Sequence, residues 1–279
     1  MLRTSSVAAL VLTVALHQGL SAQDADAFTW ENETELAYAQ TSGNASANTL
    51  AVAAKLKGEG GPNAFEFNAG GIRASTTTRR AVGTSTTYNE DTESALSAAS
   101  YFVKGRYDRS LDAIFLFAGA GWERNTFAGF NNRYSGVAGV GRMWVDGDSG
   151  HFKTDIGGTY TIQKDVAPVA GADDGFGGLR AEIDAARSLT STTEYTSKLV
   201  ADQNLKETDD LRVDWTNAVA VSISQGLALK VSYQLLYDHQ PALVSLPLFD
   251  TAGTPSGTKV SVEGDKVDSV LAIALVIKL

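Results

Sequence analysis

The chain has 279 residues, 32 Asp and Glu against 23 Lys and Arg, a formal net charge of −9 and no cysteine. The missing cysteine excludes a disulfide framework, a thiolate nucleophile, a zinc–thiolate site and an amino-terminal lipoprotein anchor, and an acidic chain with scattered bases argues against nucleic acid, which needs a basic stripe. Beyond the first 22 residues no apolar run reaches the ~18 residues that a membrane helix requires.

Residues 1–22 read as a secretory signal peptide. Arg3 gives a basic start, Val7 to Leu16 an apolar stretch too short to span a bilayer, and Leu20-Ser21-Ala22 a cleavage site. Residues 23–279 then form one domain, and from Trp30 onward they repeat a period-two alternation. In Phe152-Lys153-Thr154-Asp155-Ile156-Gly157-Gly158-Thr159-Tyr160-Thr161-Ile162, the residues Phe152, Ile156, Tyr160 and Ile162 fall on one face and Lys153, Asp155 and Thr159 on the other. Successive strand side chains point to opposite faces, so this is a ribbon with one apolar and one charged face.

In chain order the pattern predicts about twelve strands, near residues 29–40, 45–57, 64–75, 94–107, 112–124, 132–145, 152–162, 177–189, 193–204, 211–222, 227–238 and 266–279. The Thr- and Ser-rich stretch 76–91, with Arg79 and Arg80, reads as a loop, as do residues 165–176 and 239–264. Asp146-Gly147-Asp148-Ser149-Gly150 reads as a tight turn. The long connections all belong to one alternating set and the short ones to the other. A membrane barrel with short periplasmic turns and longer extracellular loops needs that sorting, and it puts both termini in the periplasm. The expected fold is therefore all-β: a transmembrane antiparallel β-barrel of about twelve strands in the outer membrane of a Gram-negative cell. A soluble periplasmic β-protein is the alternative, and fractionation without detergent would identify it.

The aromatic residues sort into two expected girdles at headgroup level. Trp30, Phe65, Tyr107, Phe115, Phe152 and Tyr195 are assigned to the periplasmic ends, and Tyr38, Tyr160, Trp215, Tyr233 and Tyr237 to the extracellular ends. The sixth strand breaks the pattern, because Arg142 shares parity with Tyr134 and Trp144; a bulge would resolve it. The last strand alternates through Val267, Leu271, Ile273, Leu275, Ile277 and Leu279, like the terminal strand that barrel-assembly machinery reads, with Leu279 where such strands typically end in an aromatic.

The charged-face parity marks Glu31, Glu33, Glu35, Lys104, Arg106, Arg124, Lys153, Asp155, Arg180, Glu182, Asp184, Lys198, Asp202, Arg212, Asp214 and Lys230 as lumen-lining candidates. Buried charges must pair or meet water, so these either cross-link a closed lumen or line a narrow aqueous path. No catalytic, cofactor or metal site is expected. Beyond residue 22 the only histidines are His151 and His239, and neither sits in a recognisable Ser-His-acid pattern. Asp146-Gly147-Asp148 lacks the further ligands of a calcium loop, and Ala172-Asp173-Asp174-Gly175 reads as a plain loop.

Several segments resemble the YdiY-like proteins, a domain-of-unknown-function family described as salt-induced outer-membrane proteins. They are Glu35-Leu36-Ala37-Tyr38 with Thr41-Ser42-Gly43-Asn44 and Thr49-Leu50; Tyr107-Asp108-Arg109 with Gly119, Gly121, Trp122-Glu123-Arg124 and Phe127-Ala128-Gly129; and Arg133 with Gly136, Gly139 and Gly141. Asn125 and Arg142 depart from the family's usual residues. The resemblance implies the same fold and location and a link to salt or osmotic stress. The expected function is a non-enzymatic envelope barrel with a narrow or plugged charged lumen; a narrow solute channel and a barrel hydrolase are the alternatives. Its expected partners are outer-membrane lipid, lipopolysaccharide and, during insertion, the assembly machinery.

Overall fold

The structure is a computed structural model and describes residues 28–41, 45–83, 88–125, 129–166, 175–241, 243–249, 255–263 and 266–278. The signal-peptide segment, Leu279 and most of residues 165–176 lie outside the described residues.

Twelve antiparallel strands close into a barrel. They are β1 (Thr29–Thr41), β2 (Ala45–Gly60), β3 (Asn63–Gly83), β4 (Tyr88–Leu111), β5 (Ile114–Asn125), β6 (Phe130–Gly147), β7 (Gly150–Asp165), β8 (Gly175–Ser188), β9 (Thr193–Asn204), β10 (Leu211–Ser224), β11 (Leu227–Asp238) and, after an excursion, β14 (Val267–Lys278). The excursion holds β12 (Leu243–Phe249) and β13 (Pro255–Glu263), which pair only with each other. Each barrel strand pairs with its sequence neighbour, and β14 closes the circle by pairing with both β11 and β1.

One rim carries the start of β1, the end of β14 and the tight turns. There Gly60 pairs with Asn63, Leu111 with Ile114, Gly147 with Gly150, and Ser224 with Leu227. Gly150 has φ +140, and a Cβ on it would strike the Ala186 carbonyl, so only glycine turns the chain here. The opposite rim carries the long connections. Within the loop expected at residues 76–91, residues 76–83 and 88–91 are strand: β3 and β4 stay paired out to Gly83↔Tyr88, past the last pairing of β2 at Thr78 and of β5 at Ser100. Its Thr and Ser residues are polar enough to read as a loop, yet threonine is a strong strand former. The third long connection likewise contains the β12–β13 hairpin.

Among the register shifts of the barrel ladders, one bears on the break in alternation expected in the sixth strand, and β5 departs from the expected faces by parity. The ladder between β6 and β7 slips between Met143 and Val145, so a bulge is present. It falls after Arg142, which stays on the outward face with its guanidinium 4.4 Å from the Trp144 ring; the Trp144 indole donates to Thr154 Oγ1 at 2.9 Å. The second departure is β5. Ile114-Phe115-Leu116-Phe117 is apolar on both faces, so hydrophobicity alone does not set its parity. The structure exposes Ile114 and Leu116 and turns Phe115 and Phe117 inward, each 4% exposed. Phe115 is therefore not a girdle residue. The same parity puts Glu123 inside and Arg124 outside, opposite Tyr101, so Arg124 does not line the lumen.

The outward face is an apolar sheath. Leu271 is 71% exposed and Ile273 61%, with Ile156, Leu179, Val219 and Val231 also open. The other expected girdle residues keep outward parity, among them Trp30, Tyr38, Phe152, Tyr160, Trp215 and Tyr233, all exposed, and Phe65, Tyr107, Tyr195 and Tyr237, half-buried. Phe65 and Tyr107 pack 4.8 Å apart between ring centroids, and the Tyr195 hydroxyl donates to Asn217.

Inside, glycines on adjacent strands make a smooth floor. A Cβ on Gly139 would meet the Ile156 carbonyl, one on Gly141 the Phe115 ring and Asp155 Cβ, and one on Gly157 would stand 3.0 Å from Phe117 Cζ. Gly141→Val is expected to lower stability by about 1–3 kcal/mol through overpacking. Adding Phe115→Ala should restore most of it. Urea unfolding of the refolded barrel measures both, and an undisturbed midpoint for Gly141→Val would refute the packing.

Candidate functional site: the charged lumen

The lumen is built around Arg106 on β4. Its guanidinium carbon lies 4.1 Å from the Phe117 ring centroid and 5.8 Å from that of Phe115. Rings offer their negative faces to a cation. The group reaches past β5 and β6, because their inward glycines leave room, to carboxylates on β7 and β8. Nε donates to Asp108 Oδ1 at 2.6 Å and Nη2 to Asp155 Oδ2 at 2.7 Å, while Nη1 lies 3.7 Å from Glu182 Oε2. The Asp155 side chain is 1% exposed, and its Oδ1 has no hydrogen-bond partner among the described residues.

Further pairs extend this network around the wall. Lys198 Nζ is 2.8 Å from Glu182 Oε1. Asp184 takes Lys153 at 3.6 Å and His151 Nε2 at 3.2 Å. Arg180 binds Asp202 with two parallel bonds, 2.8 and 2.9 Å, the strong fork geometry of guanidinium on carboxylate. Lys104 holds Glu123 at 2.6 Å. Gln234 donates twice to Asp214. Lys230 on β11 reaches over β14 to Glu35 on β1. That bridge crosses Ala274 and the fully buried Val276, and it ties the short β1–β14 seam, which runs only from Glu33↔Lys278 to Leu36↔Leu275.

Of the candidates named from sequence, Lys104, Arg106, Lys153, Asp155, Arg180, Glu182, Asp184, Lys198, Asp202, Arg212, Asp214, Lys230, Glu33 and Glu35 have inward parity. So does Glu31, which is exposed at the rim carrying the tight turns. Arg212 stands over the Phe176 ring with its Nε 3.5 Å from Asp210. Sequence reasoning missed Lys55, paired with Glu66 at 3.2 Å, and Arg133, which donates to Gln163 and stacks 3.9 Å from the Phe130 ring centroid. Their strand parity would have found them. It would not have found Phe115 and Phe117, which look like ordinary outward aromatics in a lipid-facing strand. His151 is bonded to Asp184, and His239 Nδ1 lies 2.6 Å from the Tyr237 hydroxyl. Asp146-Gly147-Asp148 forms part of the β6–β7 turn. Arg79 and Arg80 are paired in backbone with Thr92 and Asp91.

A closed antiparallel barrel with an apolar outer sheath and a charged interior is the architecture of transmembrane β-barrels. The chain belongs to the DUF481 family, described as proteins of unknown function, whose model matches residues 34–252. This is the YdiY-like family whose motifs the sequence resembles. No curated protein matches the chain. Among solved structures, it is similar to the NanC porin, with 12% identity, TM-score 0.45, and coverage of 90% of this chain and 100% of that one. It is also similar to an outer membrane channel from Pseudomonas putida F1, with 10% identity, TM-score 0.44, and coverage of 94% and 100%. The translocator domain of the autotransporter NalP from Neisseria meningitidis has 10% identity, TM-score 0.42, and coverage of 92% and 89%.

Proposed function

We propose that this protein is a non-enzymatic β-barrel of the Gram-negative outer membrane whose lumen is obstructed near one rim by Arg106, Phe115 and Phe117. Its short-turn rim and both chain ends face the periplasm. The observation that carries this reading is the Arg106 bridge, in which one side chain rests on two inward rings and reaches carboxylates on the wall beyond. A lumen crossed by side chains at this level has its permeation set there rather than at its mouth. The alternating β14 supports insertion by the barrel-assembly machinery, and the family resemblance supports a role in salt or osmotic stress. The reading assigns no catalytic group and no cofactor, because both histidines beyond residue 22 are engaged by Asp184 and Tyr237 rather than by a serine. A narrow solute channel is the second reading, favoured by charges of both signs along the wall.

The test is fractionation followed by bilayer recording. The protein should be recovered in the outer membrane and leave it only with detergent, and the wild type should show no sustained open state in planar bilayers. Sustained steps with measurable solute flux would favour the narrow channel. Recovery in the soluble periplasm would refute the membrane reading altogether. Hydrolytic activity that vanishes on His151→Ala or His239→Ala would refute the non-enzymatic one.

A further inference from the structure

The outward face has an unusual charge distribution for a chain with net charge −9. By strand alternation, no Asp or Glu among the described side chains of the barrel strands points outward. The basic residues that do so gather at the two ends of the wall: Arg109, Arg142 and Arg187 toward the rim with the tight turns, and Arg73, Arg124 and Lys164 toward the rim with the long connections. A lone arginine on the lipid face costs about 2–4 kcal/mol at the bilayer midplane and nearly nothing at the interface. The placement therefore fits headgroup level at both ends.

The three at the long-connection rim form one row across β3 to β7. Arg73 lies one alternation beyond Gly71, which pairs with Tyr101; Tyr101 in turn pairs with Arg124. On the other side of Arg124, Trp122 donates its indole N–H to Asn132, and Asn132 pairs with Lys164. All three cations are exposed, and among the described residues none has a carboxylate partner. The inward arginines 106, 133, 180 and 212 each have one within 4.0 Å. The row lies among outward aromatics: Tyr134 pairs with Trp122 and with Ile162, and Tyr160 is one alternation below Ile162.

We propose that Arg73, Arg124 and Lys164 form a binding site for the phosphate groups of a phosphorylated glycolipid in the leaflet facing the long connections. Guanidinium groups grip phosphate oxygens in a fork and an ammonium adds a point charge. The adjoining rings and apolar wall take the acyl chains. This inference rests on the outer-membrane reading above and adds the residues and the ligand chemistry.

The test is native mass spectrometry of the detergent-purified barrel with bis-phosphorylated lipid A, dephosphorylated lipid A and phosphatidylglycerol as probes. The wild type should retain bis-phosphorylated lipid A in preference to the other two. The variant Arg73→Gln/Arg124→Gln/Lys164→Gln should bind it about tenfold more weakly or worse, while Arg109→Gln/Arg142→Gln/Arg187→Gln retains it. Heat-modifiable gel migration checks that each variant is folded, and Arg73→Lys/Arg124→Lys, which keeps the charge, should keep most of the binding. Equal retention of dephosphorylated lipid A would overturn the proposal, as would equal retention of phosphatidylglycerol or unchanged binding by the first triple variant. A protein recovered outside the outer membrane would sink the underlying reading instead, and the two failures are told apart by fractionation.

Discussion

Removing both lumenal rings together, Phe115→Ala/Phe117→Ala, is expected to give discrete conductance steps in planar bilayers, severalfold larger than any the wild type passes. The two rings are the surface on which the Arg106 guanidinium rests, at 4.1 Å and 5.8 Å. The inward glycines 139, 141 and 157 leave no side chain to fill the vacated space. Both rings are 4% exposed, so their loss also leaves a cavity that the neighbouring strands close only in part. Outward replacements of similar size, Ile114→Ala and Leu116→Ala, should leave the conductance unchanged. If the outward pair opened the barrel as much as the inward pair, the obstruction would not be where Arg106 places it.

Arg106→Met is expected to be the most destabilising single change in the lumen, costing about 3–5 kcal/mol in urea unfolding. The reason is what it leaves behind. Asp155, with a side chain 1% exposed, and Asp108 on the same strand as Arg106 lose their cation, while Glu182, 7% exposed, keeps only Lys198. An uncompensated buried charge costs more than the pair contributed. The combination Arg106→Met/Asp108→Asn/Asp155→Asn should therefore recover most of the loss, although it removes more polar contacts than the single change. Any current passed by folded Arg106→Met should favour cations, since Asp108, Asp155 and Glu182 then line that level without the Arg106 guanidinium. A single variant as stable as wild type, or a triple variant less stable than the single, would show that the cluster is solvated rather than buried.

Much of this molecule follows from alternation alone. In β7, β8, β10 and β11 large apolar residues mostly alternate with polar or small ones, so period two assigns both faces at once, and Asp155, Arg180, Asp214 and Lys230 point into the lumen as their parity requires. The strand count, the sorting of connections between rims and the family are legible for the same reason: they depend on local pattern summed along the chain. Parity fails where a strand is apolar on both faces. In β5 the run Ile114 to Phe117 fits either orientation, and the wrong choice exchanges Phe115 with Leu116 and Glu123 with Arg124. Polarity misled at residues 76–83 and 88–91 as well, because a sequence that is polar at successive positions can still keep its backbone paired.

The amino-acid sequence by itself determined a closed, two-faced sheet, because side-chain direction in a strand is a local property. Only the tertiary structure decided which inward side chains meet. The meeting of Arg106 on β4 with Asp155 on β7 depends on barrel curvature and on glycines in the two strands between them. The latch of Lys230 to Glu35 depends on closure of the circle between the first strand and the last. Contacts between residues 49 and 195 positions apart are set by register and closure, and no local pattern encodes either.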